Sequence, residues 1–389
     1  MSFDQTIVSP EVPPVPAAGR PQWLTSSAEL DDWLTAHSEE PLALDTEFER
    51  VSTFYPIPGL VQLGAGDSLR LADPDVAAGS RVFRQVMTDP ERPKLLYAMG
   101  EDLELFRHWL ELEPQGLLDL QLGAALAGEG FSMGYARLVE QVFGEVLDKS
   151  ATRSDWISRP LSAAQERYAL DDIRFLGPLF VWLLAKLDAR QLTDALVEES
   201  ERFASDQLAQ SRPEDYYLKV RGGWHLSPMQ QGVLKALVIW RETESRRRDK
   251  PRSRVLADPV LIAIAEKLPE TATALAAVED MPPPVARRNS DVLLAIVAEA
   301  RSAEEVADPL IERPLTRPQQ DQYRKVKKLL GKVAEQYEIP VELLAPRRRL
   351  EAIVRSGDQN DQGWQIFVSG WRGRLTEAVM KDIRAILTP

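Results

Sequence analysis

Apolar residues in the first half of the chain fall into short runs that end in polar clusters. Leu42-Ala43-Leu44-Asp45-Thr46, Leu60 to Ala65, Leu69 to Ala72 and Lys94 to Tyr97 are too short for helices and predict strands. Gly66-Asp67, a favoured turn dipeptide, joins the second to the third and predicts a hairpin. Ala28 to Ala36, Val76 to Met87, Asp102 to Trp109 and Tyr135 to Phe143 repeat apolar residues at helical spacing, and Ser162-Ala163-Ala164-Gln165 is a capping box that opens a further long helix. Strands first, then strands mixed with helices, predict an α/β domain with a mixed sheet from Trp23 to about Leu187. Leu192 to Leu208 reads as a polar helix, followed by a loop marked by Pro213, Gly222 and Gly223. From Trp224 to about Ser302 the pattern is helical throughout, with Leu234, Leu237, Trp240, Val255, Leu256, Leu261, Ile264 and Ala265 at core spacing. A proline-punctuated stretch, Asp308 to Pro318, precedes a third helical part, Gln319 to Pro389.

A chain of 389 residues is too long for one ordinary core and predicts two or three domains of roughly 100 to 200 residues. A formal charge of -13 argues against indiscriminate duplex binding, which needs a broad positive field, so any nucleic-acid contact is local. The absence of cysteine excludes disulfide partners, thiolate zinc sites and cysteine nucleophiles. With only His37, His108 and His225, a histidine-built metal site or a Ser-His-Asp hydrolase is a poor fit, and carboxylates become the default ligands. Residues 1–21 carry Pro10, Pro13, Pro14 and Pro16 and predict a flexible lead-in; Asp4 and Glu11 interrupt it, which does not match a signal peptide. The longest apolar run, Phe175 to Ala185, contains Gly177 and Pro178 and falls short of the ~18 residues that a membrane helix needs. The expectation is a cytoplasmic protein without a membrane partner.

The candidate chemistry lies in acidic positions. Asp45 and Glu47 are two apart on a strand and point to one face, where two like charges cost free energy unless a cation or a proton lies between them. Taken alone, the pair equally fits a strand end running into solvent. Asp102 follows a strand and opens a helix, an edge that carries ligand sites in α/β sheets, although acids in a first turn also answer the helix dipole. Tyr168 and Asp172, four apart, share a helix face, with Asp171 one residue off it. Lys149, Arg153 and Arg159 lead into that helix and fit either phosphate contact or plain solvation. Trp156 fits either base stacking or a loop anchor. Phe48 and Leu103 flank the acids and are candidates to wedge terminal bases. Arg241, Arg246, Arg247, Arg248, Lys250, Arg252 and Arg254 crowd one stretch among Glu242, Glu244 and Asp249, fitting either a solvated face or phosphate contact.

In this order, Asp45-Thr46-Glu47, Asp102 and Tyr168-x-x-x-Asp172 resemble the DEDD exonucleases of ribonuclease H-like fold, in the branch with a tyrosine. Tyr55-Pro56, Gly59 to Leu63, Glu101 to Glu104, Asp119, Leu147 to Ser150, Asp155-Trp156 and Arg159-Pro160-Leu161 extend the likeness to the ribonuclease D family. Trp240-Arg241-Glu242, Asp249-Lys250-Pro251, Val255 and the Asp258 to Ala265 helix resemble an HRDC domain. Tyr323 to Lys328, Ile339-Pro340, Leu343-Leu344-Ala345, Arg347-Arg348-Arg349 and Ser369 to Gly373 resemble a second, more divergent one.

The resemblance implies an α/β ribonuclease H-like catalytic domain, a mixed sheet flanked by helices, followed by two all-α HRDC-type domains. The expected boundaries are 1–21 lead-in, 22–188 exonuclease, 189–223 connector, 224–302 first HRDC domain, 303–318 linker and 319–389 second HRDC-like domain. It implies a 3′-5′ exoribonuclease that uses two divalent ions, Mg²⁺ or Mn²⁺, releases nucleoside 5′-monophosphates, and trims tRNA precursors with single-stranded 3′ tails as a monomer. By that likeness Asp45, Glu47 and Asp172 hold the ion carrying the nucleophilic water, Asp45 bridges to the second ion, Asp102 supports it, and Tyr168 orients the water. A phenol with an ordinary pKa near 10 is a poor base at neutral pH. Two alternatives stay open: a DNA 3′-5′ exonuclease, since nothing in these residues reads a 2′-hydroxyl, and a non-catalytic RNA-binding protein.

Overall fold

The computed structural model describes residues 10–302, 306–357 and 361–388. Residues 1–9 of the expected lead-in, 303–305 of the expected linker, and 358–360 and 389 of the last helical part lie outside them.

The chain folds into two compact units, and neither is continuous in sequence: one takes the residues up to Glu49, Pro58–Ala204 and those from Leu315 onward, the other Arg50–Ile57 and Ser205–Pro314. The first unit is built on a six-stranded sheet of β1 (Trp23–Leu24), β2 (Leu42–Glu49), β3 (Ile57–Ala65), β4 (Ser68–Ala72), β5 (Lys94–Leu96) and β6 (Leu117–Asp119). Their order across the sheet is β1-β4-β3-β2-β5-β6. β1 runs parallel to β4, β2 to β5 and β5 to β6, whereas β3 and β4 form the antiparallel hairpin expected at Gly66-Asp67, with Ala65 opposite Ser68.

Helices of this unit are α1 (Ser27–Ala36), α2 (Pro74–Gly79), α3 (Arg81–Thr88), α4 (Gly100–Trp109), α5 (Leu120–Leu126), α6 (Tyr135–Phe143), α7 (Ala163–Arg174), α8 (Leu176–Ala189) and α9 (Thr193–Gln210). The single helix expected over Val76 to Met87 is two. Ser80 is extended between them, its hydroxyl accepts from the Phe83 N–H, and it donates at 2.5 Å to Asp31 of α1, so the side chain caps α3 and breaks the run. Pro178 lies in the first turn of α8, where its missing N–H has no intrahelical partner to lose.

Alternation along β2 divides its side chains between two apolar layers. Leu42 and Leu44 pack with Val61, Phe83, Leu103 and Phe106 on one face. Ala43 packs on the other with Leu95, Leu118 and the buried faces of α5 and α8, and Asp45 and Glu47 continue that second face. The same apolar layer runs without interruption into α15 (Arg317–Gln336), α16 (Val341–Leu344), α17 (Arg347–Ser356), α18 (Asp361–Val368) and α19 (Gly370–Leu387), through Leu330, Ile353, Trp371 and Ile383. The segment 189–223, expected as a connector, begins as core: Ala195 and Leu196 of α9 are buried in this layer, and Glu199 and Ser200 are buried beside it. Glu199 accepts from Trp371 Nε1 at 2.8 Å and from Arg372 Nη2 at 2.8 Å, and it pairs with Arg202. Arg372, fully buried, also donates to the carbonyls of Leu343 and Leu344.

Beside the non-helical segment Arg50–Ile57, the second unit consists of α10 (Pro228–Arg247), α11 (Arg252–Val255), α12 (Asp258–Lys267), α13 (Ala272–Ala276) and α14 (Pro283–Ser302), preceded by 3₁₀ turns at Pro213–Lys219 and Gly223–His225. Leu234, Leu237, Leu261, Ile264, Leu293 and Val297 form its core, with Trp240 half-buried at the edge. No helix among the described residues is long and apolar enough to cross a membrane.

Candidate active site

The acids arrive from three elements. β2 carries Asp45 and Glu47, the first turn of α4 carries Asp102, and α7 carries Tyr168 and Asp172. The capping box foreseen at Ser162 is formed, Gln165 and Ser162 each satisfying the other's backbone N–H, which fixes where α7 begins. Asp45, Glu47 and Asp172 each place a carboxylate oxygen within 4.8 Å of the others. Asp102 stands apart from that trio, 7 % exposed, accepting from the Thr46 hydroxyl at 2.5 Å. Among the described residues none of the four has an ion-pair partner; Asp45 accepts from the Thr46 backbone N–H and, at 3.4 Å, from Gln62 Nε2.

Unpaired acids in a partly dry spot resist ionisation. Burial, then Asp102, Asp172 and Glu47, hold the Asp45 carboxyl well above the usual range. Glu47 is pushed up to about 9 by burial and by the charges of Asp172 and Asp102. Burial pushes Asp102 to about 6, against the bond from Thr46, and Asp172 to about 7, against the bond from Tyr168. Tyr168 is itself raised by burial and by Asp172, so it stays a protonated phenol. A set of hard oxygen donors with no cationic side chain suits a divalent cation. A carboxyl with its pKa raised by folding favours the native state while protonated. That contribution is complete below the ordinary carboxyl range and is lost as pH rises through the folded values. The metal-free protein is therefore expected to melt at lower temperature as pH rises from about 6 to about 9, and saturating Mg²⁺ is expected to remove the decline. Calorimetry with and without the cation checks this; a melting point that climbs over that range without metal contradicts it.

The supports of the site were less visible in sequence. Asp119, at the end of β6 and 3 % exposed, accepts from the N–H groups of Ala98 at 2.9 Å, Met99 at 3.2 Å and Gln121 at 2.9 Å. It thereby holds the turn before α4, where Ala98 takes a left-handed φ of 60°, and so sets the start of the helix that bears Asp102. Thr46, Gln62 and Tyr135, which donates to the Asp171 carbonyl at 2.8 Å, complete the surroundings. Their one signal in the sequence is a polar residue placed inside or beside an apolar run.

Two of the residues considered for substrate contact are buried, and a third is engaged within the protein. Leu103 is fully buried with Phe106 under the sheet, because one helix position past Asp102 the side chain turns from the site into the core, so it wedges no base. Trp156, 3 % exposed, packs in a small cluster with Leu161, Leu170 and the Tyr168 ring, centroids 5.9 Å apart, and is a loop anchor. Gly59 shows how tight that anchor is, since a Cβ there would meet the Trp156 carbonyl at 2.8 Å. Arg159 binds Asp73 at 2.7 Å and the carbonyls of Trp156 and Gly59 at 2.9 and 2.5 Å, so it ties the loop rather than waiting for phosphate. Lys149 and Arg153 are exposed on that loop, and Phe48 is half-buried at the end of β2.

The sequence model of a family described as 3′-5′ exonuclease matches residues 21–188, and that of the HRDC domain matches residues 230–297. A protein named Ribonuclease D from Pseudomonas paraeruginosa is 37% identical over 368 residues, 94% of this chain and 98% of that protein. Ribonuclease D of Escherichia coli is 32% identical, over 88% of this chain and 92% of its own length. The crystal structure of Escherichia coli RNase D, described as an exoribonuclease involved in structured RNA processing, superposes with a TM-score of 0.81 at 29% identity, covering 93% of this chain and 98% of that one.

Proposed function

The chain belongs to the ribonuclease D family and is a 3′-5′ exoribonuclease, and from that premise we propose that Asp45, Glu47, Asp102 and Asp172 hold two divalent ions, Mg²⁺ or Mn²⁺, beside Tyr168. Its substrates are RNAs with single-stranded 3′ tails, chiefly tRNA precursors, shortened to release nucleoside 5′-monophosphates in the cytoplasm. It works as a monomer, all five side chains coming from one chain. The observation that carries this reading is the trio of carboxylates with oxygens within 4.8 Å and no basic partner among the described residues. The structured-RNA role stated for the Escherichia coli relative supports the substrate class. Residues 319–389 are read as a second HRDC-like domain in addition to the one matched at 230–297.

When bound, such ions acidify water and offset charge on the transferring phosphoryl group. The chain's own groups do the rest. Tyr168, kept protonated by burial and by Asp172, gives its one proton to the Asp172 carboxylate and orients the attacking water through its phenol oxygen without acting as its base. The Thr46 bond holds Asp102 in one rotamer, and Gln62 does the same for Asp45, as partners behind metal ligands commonly do.

The test is a 5′-labelled tRNA with a 3′ extension, incubated with Mg²⁺ or Mn²⁺ beside a matched DNA. The expected result is a ladder of RNA shortening from the 3′ end, abolished by chelator. DNA shortened as readily as RNA would move the reading to a general 3′-5′ exonuclease, and intact RNA under all conditions would overturn it.

A further inference from the structure

A cavity of about 590 Å³ lies wholly inside the second unit, walled by Arg50–Ile57, α10, α11 and the start of α12. Its lining sets Arg50, Arg241 and Arg252 against one carboxylate, Asp258. Most of the basic stretch around it is neutralised from within. Arg247 and Arg248 pair with Glu244, Arg246 pairs with the fully buried Glu242, and Arg241, 1 % exposed, is held by Asp258 and the Leu256 carbonyl. Arg252 differs. Its Nε donates to Glu242 at 2.7 Å, but its two Nη groups meet no acceptor among the described residues. Its guanidinium carbon lies 4.7 Å from the centre of the Phe54 ring and 4.3 Å from that of Tyr216, which fixes its plane. The Arg241 Nε is buried and likewise without a partner. The aromatic wall is itself held, because Asp249 accepts from the N–H groups of Phe54 and Tyr55 at 2.8 and 3.0 Å.

A stacked guanidinium with an open pair of donors matches two oxygens of a phosphate, and a cavity of several hundred Å³ admits a nucleotide-sized group. We propose that this cavity takes one nucleotide of single-stranded RNA, with its phosphate on the open Nη pair of Arg252. It rests on RNA being the substrate and adds a contact for it outside the carboxylate site.

Binding of a 5′-labelled oligouridylate to the full chain in chelator, over a range of salt, tests it without cleavage. Arg252→Gln is expected to weaken binding about fivefold at roughly 0.1 M salt and to flatten the salt slope by about 0.7, the effect of one single-strand phosphate contact. Ser253 lines the cavity and is exposed, its hydroxyl without a hydrogen bond among the described residues, so Ser253→Glu should weaken binding and Ser253→Lys tighten it even if Arg252→Gln proves unstable. Ser302→Glu, an equal charge change on α14, should leave affinity unchanged. Wild-type affinity and salt slope in folded Arg252→Gln, or equal effects of glutamate at 253 and 302, overturn the proposal. Cleavage by the wild type with metal is scored separately, so a silent cavity leaves the exonuclease reading standing.

Discussion

Asp45→Asn is expected to lower RNA trimming on the order of a thousandfold or more, since positive charge at a transferring phosphoryl group contributes several kcal/mol. Asparagine is nearly the same size and keeps the oxygen, so the fold is retained while one negative charge is lost. Asp45 feels burial first, then the charges of Asp102, Asp172 and Glu47, all of which oppose its ionisation. Removing it relieves that repulsion. The metal-free variant is therefore expected to melt higher than the metal-free wild type above neutral pH, while no longer gaining from Mg²⁺. Turnover on tailed RNA and melting curves with and without metal are read on the same preparation. Activity within tenfold of the wild type would remove Asp45 from the catalytic set.

Glu199→Ala is expected to destabilise the first unit by about 3–5 kcal/mol, because it strands a buried guanidinium. Arg372 is fully buried, and among the described residues Glu199 is its one carboxylate partner in hydrogen bonding, besides receiving Trp371 and Arg202. Replacing both members, Glu199→Met with Arg372→Met, should recover most of the loss, since apolar groups of similar volume leave no orphan charge. Urea unfolding of the three proteins decides. A single variant within about 1 kcal/mol of the wild type would mean that water reaches Arg372 and that the pair is not what ties α9 to α19.

Asp45 with Glu47 and Tyr168 with Asp172 were legible because each pair sits at a fixed local spacing, i+2 on a strand or i+4 on a helix, and Asp102 because it stands where a strand gives way to a helix; such local patterns survive folding. What failed to show was set by distant partners. β1 and β6, of two and three residues, exist only through pairing with β4 and β5, and no short sequence window contains both members. The break at Ser80 depends on Asp31, 49 residues earlier. Leu103, Trp156 and Arg159 had the right chemistry for RNA, but whether such a side chain faces ligand or core is decided by which way its backbone turns. The basic stretch at 241–254 was visible as charge, while its partners Glu242, Glu244 and Asp258 decide which of its donors remain open.

The apolar layer shared by α5, α8 and α15 to α19 also sets a timetable for biosynthesis. Domains generally close as their residues emerge, N-terminal parts first, at about 5–20 residues per second. Here every strand of the sheet and all four acids are made by Asp172, yet Trp371 and Ile383, which finish the layer packed behind them, come some two hundred residues later. The nascent chain therefore carries a nuclease sheet with one side of its packing incomplete for the roughly 10–40 s that two hundred further residues take at that rate, an interval in which the acids exist but the layer behind them does not.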